Sequence, residues 1–111
     1  MDKMLILSGV ARAFNLHTDS LLGYRRDQRV AAARHVAMYL LREITGDSYP
    51  ALGKFFNRDH STIIHGYKKV ERRMLDSPEY GAWVRSARVA IELSAPTASV
   101  TIPGFGLCAA A

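Results

Sequence analysis

Residues 57–73 read NRDHSTIIHGYKKVERR, and this stretch decides the fold class. Asp59 is an acid that can cap a helix, and small polar side chains follow it in the first turn. Apolar side chains then recur at helical spacing, which predicts an amphipathic helix over residues 60–75. The members of this stripe are Ile63, Ile64, Tyr67, Val70 and Met74. The opposite face is polar and basic and carries Ser61, His65, Lys69 and Arg72.

The segment before this helix predicts a second, shorter one. Ser48 is a candidate N-cap, Pro50 is tolerated in a first turn, and apolar residues continue to Phe56. Residues 57–58 leave room for only a tight connection between the two helices. A short helix, a tight turn and a second helix with a polar tip and a basic face are typical of a helix-turn-helix, whose second helix enters the major groove of DNA.

Further helical patterns flank this unit. An Ala-rich apolar face predicts a long helix over residues 30–45, with Gly46 as its end. Upstream, a helix over residues 5–14 buries Leu5, Val10 and Phe14, and a single turn capped by Thr18 or Asp19 ends at Gly23. Residues 24–29 form a polar, basic loop.

Pro78 begins a last helix, whose inward side chains are Trp83, Val84, Ala87 and Ile91. We therefore expect an all-α bundle of about six helices that contains a helix-turn-helix. Residues 1–93 form the DNA-binding domain in this interpretation. Residues 94–111 carry no charge and two prolines, and are expected to form a flexible tail.

Positive charge is concentrated in the middle of the chain. The 111 residues carry a formal net charge of +5. Residues 24–73 hold 11 Lys and Arg against 5 Asp and Glu, so this segment accounts for the whole excess. A basic segment that coincides with the helix-turn-helix pattern favours a polyanionic partner.

Three segments closely resemble the C-terminal DNA-binding domain of the bacterial replication initiator DnaA. They are RHVAMYLLREIT at residues 34–45, SYPALGKFF at 48–56 and RDHSTIIHGYKKV at 58–70. The RDHST run before a helix is specific to that family. The resemblance implies an all-helical fold and double-stranded DNA as the partner, at sites similar to the DnaA box.

The resemblance also implies roles for individual residues. His60 and Thr62 read bases in the major groove, Ser61 contributes a hydroxyl contact, and Asp59 accepts from a base or orients its neighbours. Arg26 enters the minor groove, with Arg25 beside it. The remaining expected contacts, to phosphates or base edges, fall on Arg34, Arg42, Pro50, Lys54, Arg58 and Lys69. Tyr24, Gln28, Ala32 and Ala33 depart from the basic residues and proline frequent in the family, which weakens the expected phosphate contacts.

Other kinds of site find little support in the sequence. Asp59, His60 and Ser61 are consecutive and cannot form a catalytic relay, so we expect no enzyme activity. No metal-ligand spacing, no GxxxxGK[ST] phosphate loop and no apolar stretch of about 20 residues occurs. We therefore expect no cofactor, no nucleotide and no membrane partner, and a cytoplasmic, nucleoid-associated location.

We expect that a chain bound at sites similar to the DnaA box competes with the initiator or regulates replication or transcription locally. Two other functions stay open. The domain could be an adaptor that binds the initiator or another protein of the replication machinery, with DNA binding secondary. The apolar segment 100–107 is the feature that favours an adaptor. A small enzyme acting on nucleic acid lacks any carboxylate cluster or nucleophile arrangement.

Overall fold

A computed structural model describes residues 3–23 and 27–94, and the regular secondary structure of this part of the chain is entirely α-helical. It contains α1 (Lys3–Ala13), α2 (Thr18–Leu22), α3 (Gln28–Thr45), α4 (Tyr49–Phe56), α5 (His60–Asp76) and α6 (Pro78–Ser94). The predicted all-α bundle of six helices is confirmed. The helix α6 includes Ser94, one residue past the predicted domain end, and the rest of the expected tail lies outside the described residues. None of these helices is long and apolar enough to cross a lipid bilayer.

The helix α3 is the centre of the bundle, since each of the other five helices packs against it. Its buried face includes the predicted Val30, Ala33 and Ala37, and the small alanine side chains let neighbouring helices approach closely. Each fully buried Leu or Val side chain contributes roughly 1.5–3 kcal/mol of transfer free energy. The large side chains that α3 buries completely are Val30, Val36, Met38, Leu40 and Leu41.

Local sequence signals determine most helix ends, and the structure corrects the predicted start of two helices. Asp27 caps α3 by accepting from the backbone N–H of Arg29 at 3.2 Å, so this helix begins at Gln28 and not at residue 30 as predicted. The residue that caps α2 is His17, whose Nδ1 accepts from the N–H of Asp19. Thr18 and Asp19 were predicted for that role but already lie inside the helix.

Of the three residues predicted to be buried by the first helix, Val10 and Phe14 are buried and the third is not. Leu5 is 43% exposed, whereas Ile6 and Leu7 are fully buried. All three positions are apolar, so the sequence pattern alone did not identify which side faces α3 and α6. Phe14 lies just beyond the helix and packs edge-on against Trp83 with ring centroids 5.6 Å apart. The predicted inward face of α6 is confirmed.

The turn between α4 and α5 is tight because Asn57 adopts the backbone conformation that it requires and Gly53 has no side chain to obstruct it. Asn57 ends α4 in the left-handed conformation, with φ of 57°. Gly53 lies under the turn, and a Cβ there would come within 2.7 Å of the Arg58 carbonyl oxygen. A larger residue at this position would displace the backbone of the turn, so the glycine allows α4 to lie close against it.

Candidate nucleic-acid interface

The first turn of α5, together with Arg58 and Asp59 before it, forms an exposed recognition tip, defined here as residues 58–62. Asp59, His60, Ser61 and Thr62 are all exposed. The Ser61 hydroxyl donates to the Asp59 carboxylate, and His60 Nδ1 lies 3.4 Å from Asp59 Oδ1. The carboxylate therefore holds its two neighbours in one arrangement, which agrees with an orienting role for Asp59.

Asp59 occupies the N-cap position of α5, but its side chain makes no hydrogen bond of capping geometry. This outcome differs from the expected side-chain cap, because the Ser61 hydroxyl occupies the carboxylate instead. The same hydrogen bond is the largest cause that lowers the pKa of Asp59, and His60 and the nearby backbone N–H groups lower it further. The acid is thus ionised at neutral pH and can accept hydrogen bonds.

Five predicted site residues line one shallow depression of about 450 Å³ between α4 and α5. They are Pro50, Lys54, Arg58, Asp59 and His60, and Gly53 and Asn57 complete the wall. The exposed ammonium of Lys54 and the first turns of both helices open onto this surface. Helix N-termini present unpaired N–H groups that favour phosphate, so the depression offers groups suited to the phosphates of a nucleic-acid backbone.

A cationic strip continues from the tip along the outer face of α5. His65, Lys68, Lys69 and Arg72 surround a second depression of about 320 Å³, and all four are exposed. Lys69 was a predicted site residue, and the other three now appear beside it. The helix therefore presents polar groups at its tip and positive charge along its length.

Arg34 has a different environment from the exposed position that the resemblance implied. It is only 8% exposed, and its guanidinium lies at the end of α2. Nε donates to the Leu21 carbonyl at 2.9 Å, and Nη2 donates to the carbonyls of Ser20 and Gly23, each at 3.2 Å. Burial lowers the pKa of Arg34, and the charge of Arg58 lowers it further. In this position the side chain fixes the α2–α3 corner.

The other predicted arginines lie in three places. Arg42 is half-buried near the start of α4, where Nη1 donates to the Asp47 carbonyl at 2.7 Å and the guanidinium stacks 4.2 Å from the centre of the Tyr49 ring. Arg58 donates to the carbonyls of Phe56 and Gly23. Arg25 and Arg26, with the predicted minor-groove contact, lie outside the described residues.

His35 is a residue of this surface that sequence reasoning missed. It lies on α3 where Gly66 lets α5 approach, and it shares a cleft of about 600 Å³ with Lys69 and Arg72. Burial, followed by the charges of Lys69, His65 and Arg34, lowers its pKa to about 4. The imidazole is therefore neutral beside the cationic strip. Its sequence neighbours gave no signal, because the groups that surround it come mainly from another helix.

The described ranges contain no group of three or more His, Cys, Asp or Glu side chains that could hold a metal ion.

Comparisons with known proteins agree on one family. The model of the family described as "Bacterial dnaA protein helix-turn-helix" matches residues 4–70. The chromosomal replication initiator protein DnaA of Deinococcus deserti is 39% identical over 88 residues, which are 79% of this chain and 19% of that protein. The DnaA of Clavibacter sepedonicus is 46% identical over 70 residues, or 62% of this chain and 15% of that protein. The chain thus spans less than a fifth of the length of these relatives.

Proposed function

The chain belongs to the family of bacterial DnaA helix-turn-helix domains, and from this premise we propose that it binds double-stranded DNA sequence-specifically at sites similar to the DnaA box. The observation that carries the proposal is the exposed recognition tip at the start of α5. Asp59, Ser61 and His60 contact one another there, and none of them is buried.

The geometry suggests how the contacts divide. The tip enters the major groove, where His60, Ser61 and Thr62 offer donors and acceptors to base edges. Pro50 and Lys54, on the neighbouring helix α4, meet the phosphates that border the groove. The cationic strip around Lys69 follows the DNA backbone beyond the groove. Arg26 is proposed for the adjacent minor groove, where A·T pairs give an enhanced negative potential.

The biological effect that we propose is occupancy of these sites on the nucleoid. A bound domain competes with the replication initiator for its site or regulates replication initiation or transcription nearby. This proposal needs no nucleotide and no catalytic group, because binding alone excludes another protein from the same base pairs.

The test compares affinities for a duplex that contains a DnaA box and for a scrambled duplex of the same composition. His60→Ala and Thr62→Ala should each cost about 1–3 kcal/mol of binding free energy on the box and little on the scrambled duplex, because base contacts contribute only to the matched site. Ser86→Ala removes an exposed hydroxyl from α6 and is the matched control.

Melting temperatures of all variants should stay close to that of the wild type, since these side chains are exposed. Equal losses on both duplexes for His60→Ala would remove its role in base recognition. Failure of the wild type to bind either duplex would favour the adaptor function instead.

A further inference from the structure

Tyr67 joins α5, the helix that carries the recognition tip, to two neighbouring helices. Its hydroxyl donates to Oε2 of Glu43 on α3 at 2.6 Å. Its ring stacks on that of Tyr39, also on α3, with centroids 4.9 Å apart, and meets the Tyr49 ring of α4 edge-on at 6.0 Å. We refer to these four residues as the Tyr67 cluster.

The acceptor of this hydrogen bond is itself held in place. Arg88 of α6 donates to the other carboxylate oxygen of Glu43 at 3.4 Å. Burial, followed by the hydrogen bond to Glu43, raises the pKa of Tyr67 well above its usual value, so the hydroxyl keeps its proton and remains a donor. The cluster therefore connects α5 to α3 and α4 directly, and to α6 through Arg88.

These contacts are directional, whereas the contacts of the buried face of α5 are not. That face carries Ile63, Gly66 and Val70, and the burial of apolar surface has no preferred direction. A hydrogen bond weakens steeply away from its preferred angle, and aromatic pairs prefer particular orientations. Tyr67 therefore restricts the rotation of α5 about its own axis more narrowly than the apolar face does.

The same rotation places the side chains of the recognition tip. Tyr67 lies seven residues after His60, close to two helical turns, so the two side chains leave the helix in nearly the same direction. Side chains end roughly 5 Å from the helix axis, so a rotation of about 20° moves them by about 2 Å. A displacement of that size breaks a hydrogen bond to a base edge, whereas a flexible lysine can still reach a phosphate.

We propose that Tyr67 is a positioning residue for sequence recognition, which fixes the rotation of α5 through the Tyr67 cluster and thereby directs His60 and Thr62 towards the base edges of the major groove. This inference rests on the proposed function. The hydroxyl of Tyr67 is engaged by Glu43, so Tyr67 acts through the tip and not by a contact of its own with DNA.

The test begins with Tyr67→Phe, which removes the hydroxyl and keeps the ring. Its affinity for the DnaA-box duplex should fall about fivefold, and its affinity for the scrambled duplex by less than about twofold. When His60 and Thr62 are both Ala, Tyr67→Phe should change the box affinity by less than about twofold, since coupled residues give non-additive losses. In a Lys69→Ala background the loss should stay close to fivefold, because a phosphate contact does not depend on the rotation.

Tyr80→Phe is the matched control. It removes a hydroxyl from another half-buried ring beside α5, one that packs against the Arg73 guanidinium at 4.5 Å through its face. Both affinities of this variant should stay within about twofold of the wild type.

Glu43 provides an independent test from the other side of the same hydrogen bond. Glu43→Ala removes the acceptor and should reproduce the loss on the box duplex. Glu43→Gln keeps an oxygen that can accept from Tyr67, so it should retain most of the box affinity. Equal losses for the two variants would overturn the role of the hydrogen bond. Melting temperatures establish that each variant compared is folded.

A measurement without DNA tests the rotation itself. The residual dipolar couplings of the backbone N–H groups in a helix depend on the rotation of the helix about its axis. Tyr67→Phe should change these couplings in α5 and leave those of α1 in place. Unchanged couplings in α5, or equal losses on both duplexes, would overturn the positioning role while the proposed function stands. Equal affinity of the wild type for box and scrambled duplexes would overturn the proposed function itself.

Discussion

His35 shows how the packing of two helices changes the chemistry of one side chain. In an exposed helix its imidazole would titrate near pH 6.5, but α5 covers it and brings Lys69 and His65 close, which lowers its pKa to about 4. The folded protein therefore holds this proton less tightly than the unfolded chain does. Between these two pH values the unfolded state binds more protons, so stability falls as the pH is lowered through that window.

The variant His35→Gln should weaken this dependence, because glutamine stays neutral in both states. Between about pH 7.5 and about pH 4.5, the wild type should lose on the order of 1–2 kcal/mol more unfolding free energy than the variant, a value reduced for partial solvent exposure. Chemical denaturation of both proteins at each pH measures the difference. Parallel pH profiles would show that His35 is not the source.

At the scale of elements, the close packing of α4 against the turn before α5 depends on a glycine that lies next to backbone. A Cβ on Gly53 would lie 2.7 Å from the Arg58 carbonyl oxygen, which cannot move without shifting the turn. At Gly66 the nearest atoms all belong to side chains, the Met38 sulfur at 2.6 Å and Cδ2 of His35 at 3.1 Å. Both glycines are buried within helices, so they form a matched pair.

We expect Gly53→Ala to lower the free energy of unfolding by about 1–3 kcal/mol, the usual cost of overpacking. Gly66→Ala should cost about 1 kcal/mol or less, because Met38 can adopt another rotamer and alanine favours the helix. Equilibrium denaturation of the two variants measures both values. A larger loss at Gly66 would contradict the argument that rigid backbone sets the cost.

The elements that sequence analysis predicted best are those with local signals. Gly46 in the left-handed conformation ends α3, and the Ser48 hydroxyl caps α4 by accepting from the Ala51 N–H. Each signal acts within about four residues and can be recognised without knowing the fold. The apolar spacing of α5 likewise identified Ile63 and Val70 as buried residues.

The features that sequence analysis missed depend on contacts between distant residues. The burial of Arg34 requires the carbonyl end of α2, more than ten positions earlier, to lie against α3. The side-chain hydrogen bond between Asp59 and Ser61 competes with capping of the helix, and both outcomes are compatible with the same sequence. From sequence alone, a basic residue that contacts DNA is therefore hard to distinguish from one that stabilises the fold.

For the whole molecule, the position of charge matters more than its total. The excess of Lys and Arg over acids lies in residues 24–73, yet part of it is used internally. Arg29 and Arg34 donate to backbone carbonyls, whereas Lys54, Lys68 and Lys69 are exposed. Among the described residues of α4 and α5, the exposed cations available to phosphate thus include these three lysines and Arg72.

Binding to duplex DNA should depend strongly on salt, because each phosphate contact releases counterions. About four to six contacts give a slope of log K against log salt of roughly −4 to −5. Lys69→Ala should reduce the magnitude of this slope by about 1 on box and scrambled duplexes alike, whereas Arg29→Lys, which keeps its charge, should leave it unchanged. Fluorescence anisotropy titrations at several salt concentrations provide the slopes. A slope near zero would exclude the electrostatic contribution.

Trp83 gives the molecule an internal optical probe. It is the single tryptophan of the chain, it is 6% exposed, and its ring packs against Phe14 between α1 and α6. Unfolding moves this indole from an apolar environment into water, which shifts its emission to longer wavelength. Because α6 carries none of the recognition tip, the emission spectrum reports whether a variant is folded while a labelled duplex in the same cuvette reports whether it is bound.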